Sequence, residues 1–397
     1  MKQILLLFVV TIAATMAQFE FTFPEYKRTP LGDTIDLASM KLLKEIYDKS
    51  SNKNVITSPL GVLTLLSLYG SGSEGKNREE IMRLLGSNDY KELSDSYSYL
   101  SQKFSAMNPR YLTLANKVLV SDKFTVNDEF SKTARSYRSE VSSIDFSEPK
   151  SAAEIINNWS SEKTKGMISK PVSESDIDPA AAIALLNVIF FQGHWHVPFN
   201  ASETKRKDFH LDRSRVVKLP MMHLQQSLFY YEDKDMDVQM IELPYKETKF
   251  RMIVVVPNDI DGLPEVLKKA SEKGLLENVF RMSPPGADLD LDMPKFEIRS
   301  KINLNNILPN VGVSSIFQNG STGIVKESSV VVSEALQEAF VKVDEEGATA
   351  GAFTGLVAVP MSSLSEPPKP IPFKVDRPFM FVILNDDIVL FAGTYAH

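Results

Sequence analysis

The sequence contains no cysteine among its 397 residues, and only five residues are histidine. The missing cysteine excludes thiol catalysis, thiolate zinc sites and iron–sulfur clusters. The histidines include one closely spaced pair, His194 and His196, which could hold a metal together with His210. Because a His-x-His pair with no carboxylate near it in the sequence is more often structural, we predict neither a metal site nor a cofactor.

A strong excess of charge of one sign and the motifs of common hydrolases are also missing. The 44 Lys and Arg residues against 51 Asp and Glu give a net charge of −7, and no G-x-S-x-G or H-E-x-x-H motif occurs. A nucleic-acid binder needs a basic face, which this dispersed charge does not provide. Residues 70–75 match G-x-G-x-x-G, but they follow a predicted helix, so we predict a helix-terminating loop rather than a dinucleotide site. We therefore expect a protein that is not an enzyme and binds no nucleic acid.

The first 17 residues have the pattern of a secretory signal peptide. Lys2 precedes an apolar run over residues 4–14, and small residues around Ala17 offer a cleavage point. The run is too short to span a bilayer, and no later stretch reaches that length without charges. We predict that residues 18–397 form one secreted, extracellular, monomeric domain without a membrane partner. Its sequons, at Asn158, Asn200 and Asn319, are glycan acceptors if they are exposed.

Helical periodicity dominates the first third of the chain. It predicts helices over residues 36–49, 60–69, 79–85 and 94–104. Ser58 and Pro59 are residue types that cap and open a helix, Gly86 ends the third helix, and Ser94 is the expected cap of the fourth.

Apolar runs typical of strands follow. Residues 180–191 are almost wholly apolar, which predicts a strand buried on both faces. Residues 240–245 and 250–256 predict one hairpin, and residues 379–384 and 388–393 another. Residues 289–298 predict a further single strand, and the short basic cluster 205–207 is interpreted as a solvated turn. The chain is therefore expected to adopt an α+β fold.

The segment over residues 347–372 is unusual. It begins with small residues, continues through an apolar stretch and ends in four prolines, with no Arg or Lys between Gly347 and Pro368. Residues 339–343 before it alternate as a strand does, and small side chains can enter a packed sheet with little displacement. The segment is thus a loop able to become a strand, with a flexible linker as the alternative.

Eight short motifs in this order resemble those of the serpin family across nearly the whole mature chain. They are NVITSP at 54–59, INNW at 156–159, NVIFFQGHW at 187–195, LPY at 243–245, MPKF at 293–296, VDEEG at 343–347, DRPF at 376–379 and LFAG at 390–393. The resemblance implies one α+β domain with three β-sheets, eight or nine helices and an exposed reactive-centre loop at about residues 345–372. It also implies that the loop is bait for a protease, which becomes covalently trapped when the cleaved loop inserts into a sheet.

The resemblance assigns roles to individual residues. The loop hinge comprises Glu345, Glu346, Gly347, Ala348, Thr349, Ala350, Gly351 and Ala352, and the side chains that enter the sheet are those of Ala348, Ala350, Ala352, Thr354, Leu356 and Ala358. The usual spacing from Gly347 places the cleaved bond at Met361–Ser362, with Leu364–Ser365 as the alternative. Ser58, Asn187 and Gln337 occupy the shutter, the buried cluster that closes the central sheet.

Four positions depart from the family pattern. Gln337 stands where the family has a histidine, Gly61 where it has a serine, and Ala348 where it commonly has Thr or Ser, and the usual proline near the end is missing. Glutamine both donates and accepts hydrogen bonds, so we interpret the change at 337 as altering how firmly the shutter is held and not as a loss of function.

Three functions remain open at this point. The uncharged inward-facing set favours an inhibitor of an extracellular protease, and the apolar loop suits an elastase- or chymotrypsin-like serine protease. A papain-like cysteine protease is an alternative target. A non-inhibitory carrier or storage protein with the same fold is the third possibility.

Overall fold

The computed structural model of the protein describes residues 26–108, 111–247, 249–347 and 368–397. The predicted signal peptide, hinge residues 348–352 and both candidate cleavage bonds lie outside the described residues. The described chain forms eight α-helices: α1 Pro30–Lys49, α2 Pro59–Ser71, α3 Gly75–Leu84, α4 Tyr90–Ser105, α5 Asp128–Ser136, α6 Pro149–Lys163, α7 Leu263–Lys273 and α8 Leu276–Val279.

Fifteen strands in the described chain form three sheets. A five-stranded sheet has the order β11-β12-β4-β2-β3, a six-stranded sheet the order β1-β15-β14-β9-β8-β7, and a four-stranded sheet the order β13-β10-β6-β5. The strands are β1 Val55–Thr57, β2 Leu112–Ser121, β3 Glu140–Ile144, β4 Ile183–Phe191, β5 Lys205–His210, β6 Val216–Gln226, β7 Tyr230–Asp233, β8 Val238–Pro244, β9 Phe250–Pro257, β10 Leu289–Pro294, β11 Phe296–Asn303, β12 Val332–Val343, β13 Ile371–Lys374, β14 Phe379–Asn385 and β15 Ile388–Tyr395.

The centre of the five-stranded sheet is buried on both faces, as its apolar sequence predicts. Every residue of β4 is buried. Ile183, Leu185 and Ile189 face the main core, whereas the alternate residues face a second core beneath α6, where Ile156 and Trp159 pack. Because successive side chains of a strand point to opposite faces, the single apolar sequence of β4 contributes side chains to both cores.

The helix α2 carries the predicted start signals. The Ser58 side chain accepts a hydrogen bond from the Gly61 backbone N–H, and Pro59 occupies the first turn. The helix is buried from Pro59 to Gly70, which places its capped N-terminus in the interior beside the five-stranded sheet. The glycine-rich residues that follow form the loop between α2 and α3, as predicted.

Three local predictions are wrong. Residues 289–298 form two strands in different sheets, because the chain passes from β10 to β11 at Lys295. The helix α4 starts at Tyr90 and not at Ser94. The Asp89 side chain caps it by accepting hydrogen bonds from the backbone N–H groups of Lys91 and Glu92. The basic cluster 205–207 is not a turn but the start of β5, paired with β6.

No helix among the described residues combines the length and apolar character needed to cross a membrane. No group of three or more His, Asp and Glu side chains in the described chain could hold a metal ion. His194 instead contacts the Glu247 carboxylate, at 3.2 Å.

Candidate functional site: the shutter and the loop hinge

The shutter residues lie in a row across neighbouring strands of the five-stranded sheet. Gln337 of β12 is the register partner of Asn187 in β4, and Asn187 is in turn the partner of Asn116 in β2. All three side chains are buried. The predicted members Ser58, Asn187 and Gln337 are therefore brought together, and Asn116 is a member that the sequence analysis missed.

Gln337 uses all four hydrogen-bonding positions of its amide. Its Oε1 accepts from Thr57 Oγ1 at 2.6 Å and from the Ser58 backbone N–H at 3.0 Å. Its Nε2 donates to the Ser58 carbonyl at 2.8 Å and to Asn187 Oδ1 at 2.7 Å. A buried amide satisfied in this way joins β12 to β4 and to the N-terminus of α2, so this side chain holds the closed sheet on the helix beneath it.

Gly61 provides the space in which the Asn187 amide sits. A Cβ atom at position 61 would lie 2.4 Å from Asn187 Nδ2 and 2.5 Å from its Oδ1. Those separations are far below van der Waals contact, so a serine there would displace the amide that Gln337 binds. The departures at 61 and 337 therefore fit together as one arrangement.

The described part of the hinge is fixed at the end of β12. Residues 344–347 form a turn in which the Gly347 N–H donates to the Asp344 carbonyl at 3.2 Å. The backbone N–H groups of Trp195 and Phe199 donate to the carbonyls of Glu346 and Glu345, at 3.0 and 2.8 Å. These contacts hold the start of the loop against the segment that follows β4.

Glycine is required at position 347 by both conformation and space. Its φ is +108°, a region that side-chain-bearing residues rarely adopt. A Cβ atom there would lie 2.3 Å from the Gly193 carbonyl oxygen and 2.6 Å from the Trp195 nitrogen. The turn at residues 344–347 therefore requires a residue without a side chain at position 347.

Glu345 adds an ionic contact beneath the hinge. Its carboxylate accepts from Lys295 Nζ at 2.7 Å and from Thr204 Oγ1 at 2.6 Å. Burial disfavours the charged form, but these hydrogen bonds outweigh it and hold the pKa of Glu345 below its ordinary value. Lys295 belongs to the motif at residues 293–296, but neither it nor Thr204 was predicted as a partner of Glu345.

We predict that replacing Glu345 by glutamine destabilises the hinge contact at neutral pH. A neutral amide loses the ionic part of the bond to Lys295, and we expect the thermal midpoint to fall by an amount equivalent to about 1–2 kcal/mol. Because the folded-state pKa is lowered, the wild-type contribution is present above the ordinary carboxyl pKa and is lost as the pH falls through the lowered value. The difference between the two proteins, measured by thermal unfolding at pH 7 and at about pH 4, should therefore shrink at the lower pH.

Glu297 provides the matched control for this substitution. It is an exposed glutamate on β11. Glu297→Gln should change the free energy of unfolding by less than about 0.5 kcal/mol. Equal effects of the two substitutions would remove the specific role given to Glu345.

The three predicted glycan acceptors are all on the surface. Asn158 lies on α6, Asn200 precedes a 3₁₀ turn at Ala201–Glu203, and Asn319 follows another at Ser315–Phe317. Each of the three asparagines is exposed, which meets the condition set for glycosylation. Their modification stays a prediction.

Comparison with known proteins agrees with this architecture. A family model described as "Serpin (serine protease inhibitor)" matches residues 35–397. The curated relatives include Antichymotrypsin-2 of Bombyx mori, 32% identical over 91% of this chain and 96% of that protein. Antitrypsin of Bombyx mori is 31% identical over the full length of both chains.

A solved structure shows the same fold. It is that of Serpin48, described as a highly specific serpin of the insect Tenebrio molitor. The match has a TM-score of 0.81 at 29% identity and covers 94% of this chain and 100% of that one. The chain belongs to the serpin family, and the predicted α+β fold with three sheets is confirmed.

Proposed function

We propose that this protein is a secreted inhibitor that traps an extracellular protease covalently as a suicide substrate. The observation that carries the proposal is the pairing of β12 with β4 in the five-stranded sheet. The two strands are parallel neighbours over Val332–Phe340 and Ile183–Phe190, and the segment after β12 begins with the turn at residues 344–347. A segment that reverses direction there would run antiparallel to both strands.

Insertion of such a segment is favourable in principle. A strand placed between β12 and β4 would replace one ladder of parallel hydrogen bonds by two antiparallel ladders, which are slightly more stable per residue. Each additional backbone hydrogen bond contributes about 1 kcal/mol net. The uninserted protein would then be a state that cleavage of the loop allows to relax.

The side chains of the loop suit this movement. Alternate residues of a strand face the same side, and the inward-facing set from Ala348 to Ala358 contains no charged residue. Phe353, the large residue of the hinge region, falls on the opposite phase. A charge in the inward set would oppose burial, so its absence supports an inhibitor over a carrier.

The chemistry belongs to the protease. Its nucleophile attacks the carbonyl carbon of Met361, the bond to Ser362 breaks, and the new amino group of Ser362 leaves with the proton that the protease supplies. The protease remains joined to Met361 as an acyl ester. Insertion before water attacks this ester would move the enzyme away from its productive geometry and leave the adduct in place.

The sequence of the loop indicates the class of target. A trypsin-like protease requires Arg or Lys before the cleaved bond, and none occurs between Gly347 and Pro368. Met361 and the alternative Leu364 both suit an apolar primary pocket of the elastase or chymotrypsin kind. The names of the two silkworm relatives, an antichymotrypsin and an antitrypsin, support protease inhibition without deciding between pockets.

Mixing the protein with single proteases tests the proposal. The panel comprises elastase, chymotrypsin, trypsin and papain, each followed by denaturing gel electrophoresis. We expect an adduct that survives SDS with elastase or chymotrypsin; an adduct with papain alone would change the target class, and cleavage without adduct by all four would favour the carrier.

The position of the cleaved bond gives a separate prediction. Replacing Met361 by arginine should redirect inhibition to trypsin, because the acidic pocket of that enzyme pairs with a guanidinium group. Leu364→Arg is the matched control and should not do so. Mass spectrometry of the released C-terminal fragment checks the assignment, since a fragment that begins at Ser365 instead of Ser362 would move the bond to Leu364.

A further inference from the structure

A cleft separate from the loop and the shutter lies between the C-terminal end of α1 and β11. β11 is the edge strand of the five-stranded sheet. The cleft has a volume of about 370 Å³ and is bordered also by the turn that joins α1 to β1. That volume is in the range of small-molecule sites, about 300–1,000 Å³.

The charged side chains that line the cleft are all cationic. They are Lys49 at the end of α1 and Arg299 and Lys301 on β11, and no Asp or Glu lines it. Arg299 and Lys301 reach carboxylates outside the lining, at Glu338 and Asp176, with distances of 3.0 and 2.6 Å. Lys49 is exposed and takes part in no ion pair among the described residues, so its charge is available to a ligand.

Asparagine amides add oriented donors to the same lining. The side-chain oxygen of Asn52 accepts from the Asn54 N–H, that of Asn54 accepts from the backbone N–H groups of the last two residues, and that of Asn303 accepts from the Asn305 N–H. These bonds fix which end of each amide is the oxygen. The three amino groups have no acceptor among the described residues, and they therefore remain available as donors.

Three cationic side chains, together with three amide groups whose amino donors have no acceptor, fit one kind of ligand. We propose that the cleft between α1 and β11 binds a small polyanion that carries phosphate or sulfate esters. Such a group presents several acceptor oxygens and negative charge, which lysine, guanidinium and amide donors match. The aliphatic side chains of Ile46, Val55 and Ile307 leave room for the carbon body of the ligand.

Binding can be measured on the full-length protein by thermal shift and isothermal titration calorimetry with two probes. Inositol hexakisphosphate presents phosphate esters and sucrose octasulfate presents sulfate esters. The probe that binds more tightly therefore shows which of the two esters the cleft prefers. We expect a saturable rise in the unfolding temperature that weakens as the salt concentration increases. The double variant Lys49→Gln/Lys301→Gln should bind about tenfold or more weakly, through loss of two charge-assisted contacts.

Lys41 supplies the control for overall charge. It is exposed on α1 but does not line the cleft, and Lys41→Gln should bind the probe like wild type. Circular dichroism of the ligand-free double variant checks that it is folded. The proposal is overturned if neither probe gives a saturable shift, or if the double variant binds as tightly as the Lys41 variant.

Discussion

Replacing Ala350 by arginine is expected to convert this serpin from an inhibitor into a substrate of its target protease. Residue 350 is predicted to belong to the inward-facing set, so insertion would bury a guanidinium group without a partner, at a cost of several kcal/mol. Insertion then slows, and hydrolysis of the acyl ester releases active protease and cleaved serpin. The number of serpin molecules consumed per protease inhibited should rise severalfold, measured by titration of residual protease activity and by gel.

Thr349→Arg is the matched control for this effect. Its side chain falls on the opposite phase of the inserted strand, where a long charged side chain can extend into solvent. It should leave the stoichiometry close to that of wild type. Identical behaviour of the two variants would show that the assigned register of the inserted segment is wrong.

Replacing Gln337 by leucine is expected to destabilise the closed protein strongly. Leucine has a comparable size but makes no hydrogen bond, and it would leave buried groups of Thr57, Ser58 and Asn187 without partners. Each such group costs about 1–3 kcal/mol, so we expect a loss of at least about 3 kcal/mol. Thermal unfolding followed by circular dichroism measures this loss, and native gels measure any self-association that opening of the sheet allows.

Two further variants separate hydrogen bonding from packing at this position. Gln337→His introduces the family's residue, whose two ring nitrogens can make at most two of the four hydrogen bonds, so its midpoint should fall between wild type and leucine. Gln225→Leu removes an exposed glutamine on β6 and should change stability by less than about 0.5 kcal/mol. If histidine proves as stable as glutamine, the four-bond arrangement is not what holds the shutter.

Motif resemblance predicted some features of the shutter and could not predict others. It located Ser58, Asn187 and Gln337, but it could not show whether glutamine would serve in place of histidine. The answer depends on Gly61, because the space that it leaves lets the Asn187 amide meet the Gln337 side chain. Asn116 completes the row only through its register with Asn187, which the sequence of β2 does not reveal.

The local errors have a common physical origin. Asp89 and Ser94 are both suitable helix caps. Asp89 caps α4 because its carboxylate accepts hydrogen bonds from two backbone N–H groups in the first turn of the helix. Apolar residues alternate with charged ones in both halves of residues 289–298, although β10 is almost wholly buried and β11 is buried on one face only. Nothing in that pattern marks Lys295 as the point where the chain changes sheets.

The sequence by itself determined the elements that carry their own signals. Ser58 and Pro59 start α2, the apolar run of β4 specifies a strand buried on both faces, and the spacing of the motifs assigns the family, because each depends on residues close together in the chain. Only the tertiary structure decided the contacts that close the sheet and hold the hinge. Gln337 binds Ser58 across 279 positions of sequence, and Glu345 meets Thr204 across 141. Partners so far apart are chosen by strand register and packing, which no local pattern encodes.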